Sequence, residues 1–310
     1  MDVESLGYLE RLTLRLTIGA ANLPQQIQQL HARYILDLQR ADGGWAGREG
    51  ESDLYYTSFA LRSLAILGLL EGDLAQRATN FLRERFTSHQ TVVDLLSLVY
   101  SAKLIDASCG ISVFDAARPD WARRLAELLD TFRRPDGGYS KSIEGQAGST
   151  YQTFLILLCH ELIEQPISHP DQIAQFLLAQ RQADGGFLEV RVAKRSGTNP
   201  TAAAVGALRV LNRLDSQIAN NVAHFISQLQ SDEGGLQANT RIPMPDLLST
   251  FTGCVTLADL DQIDSIDCRA AYDFGLQMQR PAGGFYGFEL DPGEDVEYTF
   301  YGLGLLALLQ

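Results

Sequence analysis

Paired glycines recur along the chain at a nearly constant interval, each pair followed by an aromatic residue or leucine. They read Gly43-Gly44-Trp45, Gly137-Gly138-Tyr139, Gly185-Gly186-Phe187, Gly234-Gly235-Leu236 and Gly283-Gly284-Phe285. The first glycines stand 94, 48, 49 and 49 residues apart, and since 94 is twice 47, one repeat near residue 90 has lost its mark. A fixed period of this size is the signature of stacked supersecondary units.

An amphipathic helical pattern lies ahead of each mark, over residues 25–39, 74–86, 121–134, 171–182, 218–230 and 268–279. In the fourth, Ile173, Phe176, Leu177 and Gln180 fall on one face. The glycine pair then offers the positive φ of a helix C-terminal stop. About ten residues on, a more uniformly apolar helix follows, over 55–70, 92–104, 151–163, 202–211, 247–260 and 298–309. Helices apolar on all sides are buried. Six polar outer helices alternating with six apolar inner ones predict two concentric rings. An open solenoid would end on a polar capping repeat. Here the last helix is among the most apolar, so the rings are expected to close. The predicted fold is all-α, a closed (α/α)6 toroid of six helical hairpins. It occupies residues 1–310 as a single domain with a period of about 47–49 residues.

With 310 residues and 45% hydrophobic content, the chain can bury a large core. Its 25 Lys and Arg against 38 Asp and Glu leave a net charge of −13, which argues against nucleic-acid binding and adhesion to anionic membranes. Cys109, Cys159, Cys254 and Cys268 have no metal or disulfide spacing and are expected as small reduced thiols. The acidic N-terminus lacks a signal-peptide pattern, and the most apolar stretch, 300–309, is too short to span a bilayer. A soluble, cytoplasmic protein without membrane insertion is expected.

The stretches Gln39-Arg40-Ala41-Asp42-Gly43-Gly44-Trp45 and Gln279-Arg280-Pro281-Ala282-Gly283-Gly284-Phe285 resemble the repeat of protein prenyltransferase β subunits; squalene-cyclase-type enzymes carry a related one. Four further segments resemble the geranylgeranyltransferase β subunit in particular: Asp53 to Ala60, Gln146 to Tyr151, Met244 to Ser249, and Pro292 to Leu303. The resemblance implies an isoprenoid diphosphate in the central cavity, its transfer to an acceptor, and a helical-repeat α subunit as partner. It also implies a zinc ion held by Asp, Cys and His, which activates the acceptor thiol. Aligned from the C-terminus, those ligands fall on Asp246, Leu248 and Tyr298; shifted by one repeat, they fall on Gly197, Asn199 and Ser249. Asp246 is the one family ligand retained, so no metal and no cofactor are expected. The shifted register puts the family's diphosphate-binding Arg and Lys on Arg191 and Lys194, and its His on Gln146. In the other register Arg241 is the nearby base.

In a closed toroid, the N-terminal ends of the apolar helices gather at one mouth, where helix dipoles favour anions. Asp53, Tyr55, Tyr56, His89, Gln90, Gln146, Thr150, Tyr151, Asn199, Asp246, Ser249, Thr250, Asp295, Glu297 and Tyr298 are expected there, and Asp, Asn, Ser and Thr at such positions also cap helices. Tyr55, Tyr56, Tyr151 and Tyr298 are candidates to line an isoprenoid cavity, and Arg191, Lys194, Arg241 and Gln146 to hold its diphosphate. Asp295-Val296-Glu297-Tyr298 is a partial match to the acidic motif with which class II terpene cyclases protonate an alkene. Asp246, Asp295, Glu297 and Tyr298 are therefore the catalytic candidates. Three readings follow: a zinc-free prenyltransferase-like protein that binds and transfers an isoprenoid, a cyclase-like enzyme using an Asp acid, and a non-catalytic interaction toroid.

Overall fold

The computed structural model of the chain describes residues 6–86, 91–115, 117 and 119–310. These form two compact units, one made of the stretches up to Pro119 and from Gly275 onward, the other of Asp120–Phe274. Thirteen α-helices lie among the described residues: α1 (Tyr8–Asn22), α2 (Gln25–Asp37), α3 (Leu54–Ile66), α4 (Gly72–Arg85), α5 (Val92–Cys109), α6 (Trp121–Asp130), α7 (Thr150–Leu162), α8 (Pro170–Ala179), α9 (Thr198–Val210), α10 (Ser216–Ser227), α11 (Leu247–Asp259), α12 (Cys268–Gln277) and α13 (Val296–Leu308). From α2 on, amphipathic and apolar helices alternate as the sequence predicts. In the first unit α3 packs on α5, α1 and α13; in the second α9 packs between α7 and α11. Helix α1 was not anticipated. It has no glycine mark, and its exposed Leu14 and Ile18 blur the stripe formed by the buried Leu9, Leu16 and Ala20.

The glycines do not end helices as expected. Helix α2 stops at Asp37, and Gly43 instead closes a turn: its N–H donates to the Arg40 carbonyl at 2.9 Å while the Arg40 N–H donates to that of Gly44 at 3.0 Å. Gly43 has φ +88°, and a Cβ there would lie 2.3 Å from the Arg77 carbonyl oxygen on α4. Only a residue without a side chain permits both the turn and that approach. The equivalent Gly283, at φ +98°, would put a Cβ 2.9 Å from the Leu30 carbonyl oxygen on α2. The last glycine turn thus abuts the first amphipathic helix, and α13 packs on α1 and α3.

Two polar devices repeat with the glycines. The carboxylate two residues before the second glycine accepts its N–H: Asp42 from Gly44, Asp136 from Gly138 and Asp184 from Gly186. In the last repeat Ala282 stands at that position, and His31 of α2 replaces the acid. Its Nδ1 accepts the Gly284 N–H at 3.0 Å, so Nε2 carries the proton and donates to Gln279 Oε1, also at 3.0 Å. Burial lowers the His31 pKa to about 4 and keeps the ring neutral.

The second device is a threonine in the first turn of the apolar helix. Thr57, Thr153, Thr201 and Thr250 each accept the N–H of the residue after the glycine pair, at 2.9 Å in all four repeats. All four are fully buried. Thr250→Val keeps the volume but strands the buried Leu236 N–H, and is expected to cost about 1–3 kcal/mol, read as a lower urea midpoint. An unchanged midpoint contradicts this role.

Candidate functional site

The N-terminal ends of the apolar helices carry caps that follow the repeat. Asp53, Asp246 and Asp295 accept the N–H of Tyr56, Ser249 and Tyr298 at 2.8, 2.7 and 2.9 Å, and Ser149 accepts that of Gln152 at 3.1 Å. Asp246 also accepts the Ser249 hydroxyl at 2.8 Å, while burial raises its pKa. Leu248, two residues on, is a hydrocarbon with no lone pair to offer. No cluster of three His, Cys, Asp or Glu able to hold a metal occurs among the described residues. The residues present therefore do not fit the zinc ion that the family resemblance implies.

The other second-unit candidates are exposed. Arg191 and Lys194 are exposed in the loop before α9. Arg241 is exposed, its backbone N–H given to Asn239 Oδ1 at 3.0 Å. Gln146 is exposed with its Nε2 on the Glu144 carbonyl at 3.1 Å, and Tyr151 is 41% exposed with its backbone N–H on Glu189. His89 and Gln90 lie outside the described residues.

In the first unit, by contrast, Tyr55, Tyr56, Asp295, Glu297 and Tyr298 come together. The loop after Trp45 and the loop after Phe285 each run into a strand-like pairing with the residue that caps the next helix: Trp45 with Asp53, and β1 (Phe285–Tyr286) with β2 (Glu294–Asp295). Three residues past each glycine pair stands another glycine, Gly47 or Gly287. A Cβ on either would lie 2.5 Å from a tyrosine ring, that of Tyr56 or Tyr298. These Gly–Tyr pairs occupy equivalent positions in the first and last repeats, where the others carry Lys141, Glu189 and Ala238 opposite Gln152, Pro200 and Ser249. That coincidence is a sequence signal for the site, although it is visible only once the repeats are superposed.

Between the two tyrosines lies a recess of about 580 Å³, within the range of small-molecule sites, bordered also by Arg48, Glu49, Phe288, Asp291, Asp295 and Glu297. Arg48 is clamped there. Its Nη1 and Nη2 donate to the two oxygens of Asp291 at 2.5 and 2.7 Å, and its Nε donates to Asp295 at 3.1 Å. That bidentate pairing lowers the Asp291 pKa, whereas burial outweighs Arg48 at Asp295 and raises it.

Glu297 forms the inner edge of the recess. The hydroxyls of Tyr55 and Tyr301 both donate to its Oε1, at 2.6 and 3.2 Å. Burial is the largest influence on this carboxyl and raises its pKa, with the Asp295 charge acting in the same direction. Two donors on one oxygen hold Oε1 as the acceptor, so the neutral acid carries its proton on Oε2. Behind it stand aromatic rings. Phe59 lies 4.9 Å from Tyr55 and 5.3 Å from Tyr301, and Phe300 lies 5.7 Å from Phe59. Arg48 and Tyr301 were not among the sequence candidates: Arg48 meets its carboxylates 243 and 247 residues along the chain, and Tyr301, four residues from Glu297, reads in sequence as one more core residue of an apolar helix.

The family model of the Prenyltransferase alpha-alpha toroid domain matches residues 9–100, 95–242 and 201–310. Among curated proteins, the protein farnesyltransferase subunit beta of Pisum sativum is 27% identical over 198 residues; the match takes in 62% of this chain and 46% of that protein, less than half its length. Candida albicans protein geranylgeranyltransferase-I complexed with GGPP superposes with a TM-score of 0.73 at 15% identity, over 92% of both chains. A variant of the type II terpene cyclase MstE from Scytonema, in complex with geranylgeranyl dihydroxybenzoate, superposes with a TM-score of 0.64 at 13% identity over 97% of this chain and 98% of that one. At such identities the superpositions establish a shared fold. Repeat, helix alternation and matched family model agree, and the chain is an all-α toroid that belongs to the prenyltransferase alpha-alpha toroid domain family.

Proposed function

We propose that this protein is an isoprenoid-handling enzyme that works by carboxylic-acid catalysis at Glu297 and not by zinc-assisted transfer. The observation that carries this reading is the state of Glu297. It is a carboxyl whose pKa is raised by burial, oriented by two tyrosine hydroxyls, and placed between a polar recess and a wall of aromatic rings. The recess borders Glu49, Asp291, Asp295 and Glu297 against one guanidinium already paired with two of them, a charge balance that repels a diphosphate. A neutral prenyl tail meets no such penalty. The Glu297 Oε2 proton would pass to a trisubstituted alkene, forming a C–H bond and a tertiary carbocation that the flanking ring faces stabilise. Attack by a second alkene would close a ring, the final cation would lose a proton to water, and Glu297 would regain one through the recess.

Supporting this reading are the family's prenyltransferases and terpene cyclases, and the residues missing from the zinc triad. The test is incubation of the purified chain with a linear geranylgeranyl arene in the presence of a chelator. The expected result is a cyclic isomer of unchanged mass, formed at the same rate with and without chelator. Restoration of activity by zinc after chelation would sink the proposal. Absence of both product and tail binding would instead favour a toroid kept for protein contacts.

A further inference from the structure

Helix α3 presents Tyr55, Phe59 and Arg62 at i, i+4 and i+7, one stripe two turns long. The first two belong to the aromatic wall behind Glu297. The third is a cation in an apolar setting. Its guanidinium carbon lies 4.7 Å from the ring centroids of Phe59 and of Tyr100 and 5.8 Å from that of Phe300. Those rings can balance its charge but accept none of its N–H groups in the manner of an oxygen. Arg62 makes no hydrogen bond or ion pair among the described residues, and its Nε is sealed from solvent without a partner. Tyr100 does not supply one, since its hydroxyl is engaged with Thr13 and the Leu9 carbonyl. Glu297 acts on Arg62 through charge alone, with no hydrogen bond between them.

Arg62 is half-buried, and its sealed Nε, unbonded within the chain, is costly unless something outside the chain accepts its N–H. We infer that Arg62 receives a single planar oxyanion, a carboxylate, at the end of an apolar ligand lying along the α3 wall. The carboxylate fits because its two oxygens match the guanidinium fork. A diphosphate does not, because Arg62 lies toward the C-terminal end of α3, away from the positive helix dipole. Seven residues separate Tyr55 from Arg62, which sets the anion about 10 Å from the level of the Glu297 acid, roughly the span of two isoprene units. The isoprenoid tail rests on the reading given under Proposed function; the anion site itself rests on Arg62 alone.

Calorimetric titration of the intact chain with matched end groups and two kinds of tail tests the inference. Farnesoic acid is expected to bind about tenfold or more tightly than farnesol, and also more tightly than farnesyl diphosphate. Arg62→Gln should erase the preference for acid over alcohol, and Arg62→Lys should keep part of it. Equal affinity of the wild-type chain for acid and alcohol, or a preference that survives in Arg62→Gln, overturns the inference without reliance on any one variant's folding. Tighter Arg62-dependent binding of the diphosphate overturns the choice of carboxylate. Dodecanoic acid and dodecanol separate the two readings. An Arg62-dependent preference for dodecanoate with no binding of farnesyl compounds leaves the anion site standing and removes the isoprenoid reading. Binding of neither carboxylate removes the anion site.

Discussion

Glu297→Gln is expected to lower turnover of a linear prenyl substrate by about 10²–10⁴-fold while leaving its binding nearly unchanged. Glutamine has almost the same shape, and its amide oxygen can still accept the Tyr55 and Tyr301 hydroxyls that now meet Oε1. What it lacks is an acidic proton. The pH dependence follows from the direction of the shift. Burial raises the Glu297 pKa, so the neutral, proton-donating form persists to higher pH than for a free glutamate. Wild-type turnover should be full below that raised pKa and fall as pH rises through it, whereas the residual rate of the glutamine variant should show no such step. Stability has the same sign: the contribution of a carboxyl with a raised folded-state pKa is fully present below its unfolded pKa and is lost as pH rises through the folded one. Single-turnover rates across a pH series check this. Wild-type turnover in the glutamine variant would exclude Glu297 as the acid.

Gly19→Ala should be among the most destabilising small changes in the chain. A methyl added at Gly19 on α1 would lie 1.9 Å from the Ala307 carbonyl oxygen and 2.6 Å from its carbon, both backbone atoms of α13. A flexible side chain could turn away, but a helix backbone can only move as a whole. Alanine's better helix propensity returns about 1 kcal/mol. Against that, forcing α1 off α13 loosens the packing of Leu16 and Ala20 and costs about 3 kcal/mol or more. The net effect is a clear fall in the chemical denaturation midpoint. Because α13 also carries Glu297 and Tyr301, the same variant should weaken tail binding. A midpoint equal to or above wild type contradicts the close packing of these two helices.

The fold was legible because its signal is local and repeated. Glycine pairs, amphipathic stripes and apolar runs each report their helix without reference to distant residues. The misreading of the glycines as helix stops shows the limit of that signal. A positive φ is common to helix ends and tight turns, and the choice was made by the approach of Gly43 to the Arg77 carbonyl on another helix. The site was legible in part. Tyr55, Tyr56, Asp295, Glu297 and Tyr298 could be named from motif and position, but Asp295 and Asp246 look alike in sequence, each an acid capping an apolar helix. Arg48 distinguishes them in the structure: it pairs with Asp295, while Asp246 is turned onto Ser249.

Sequence by itself determined the all-α class, the repeat and the alternation of helix types. Each of these is written in residue identity and short-range periodicity. Tertiary structure alone decided which repeat carries the candidate chemistry. Tyr55 meets Glu297 across 242 residues and Arg48 meets Asp291 across 243, because the last repeat packs against the first. Burial among those contacts raises the pKa of a carboxyl set beside aromatic rings, and no periodicity along the chain encodes that encounter.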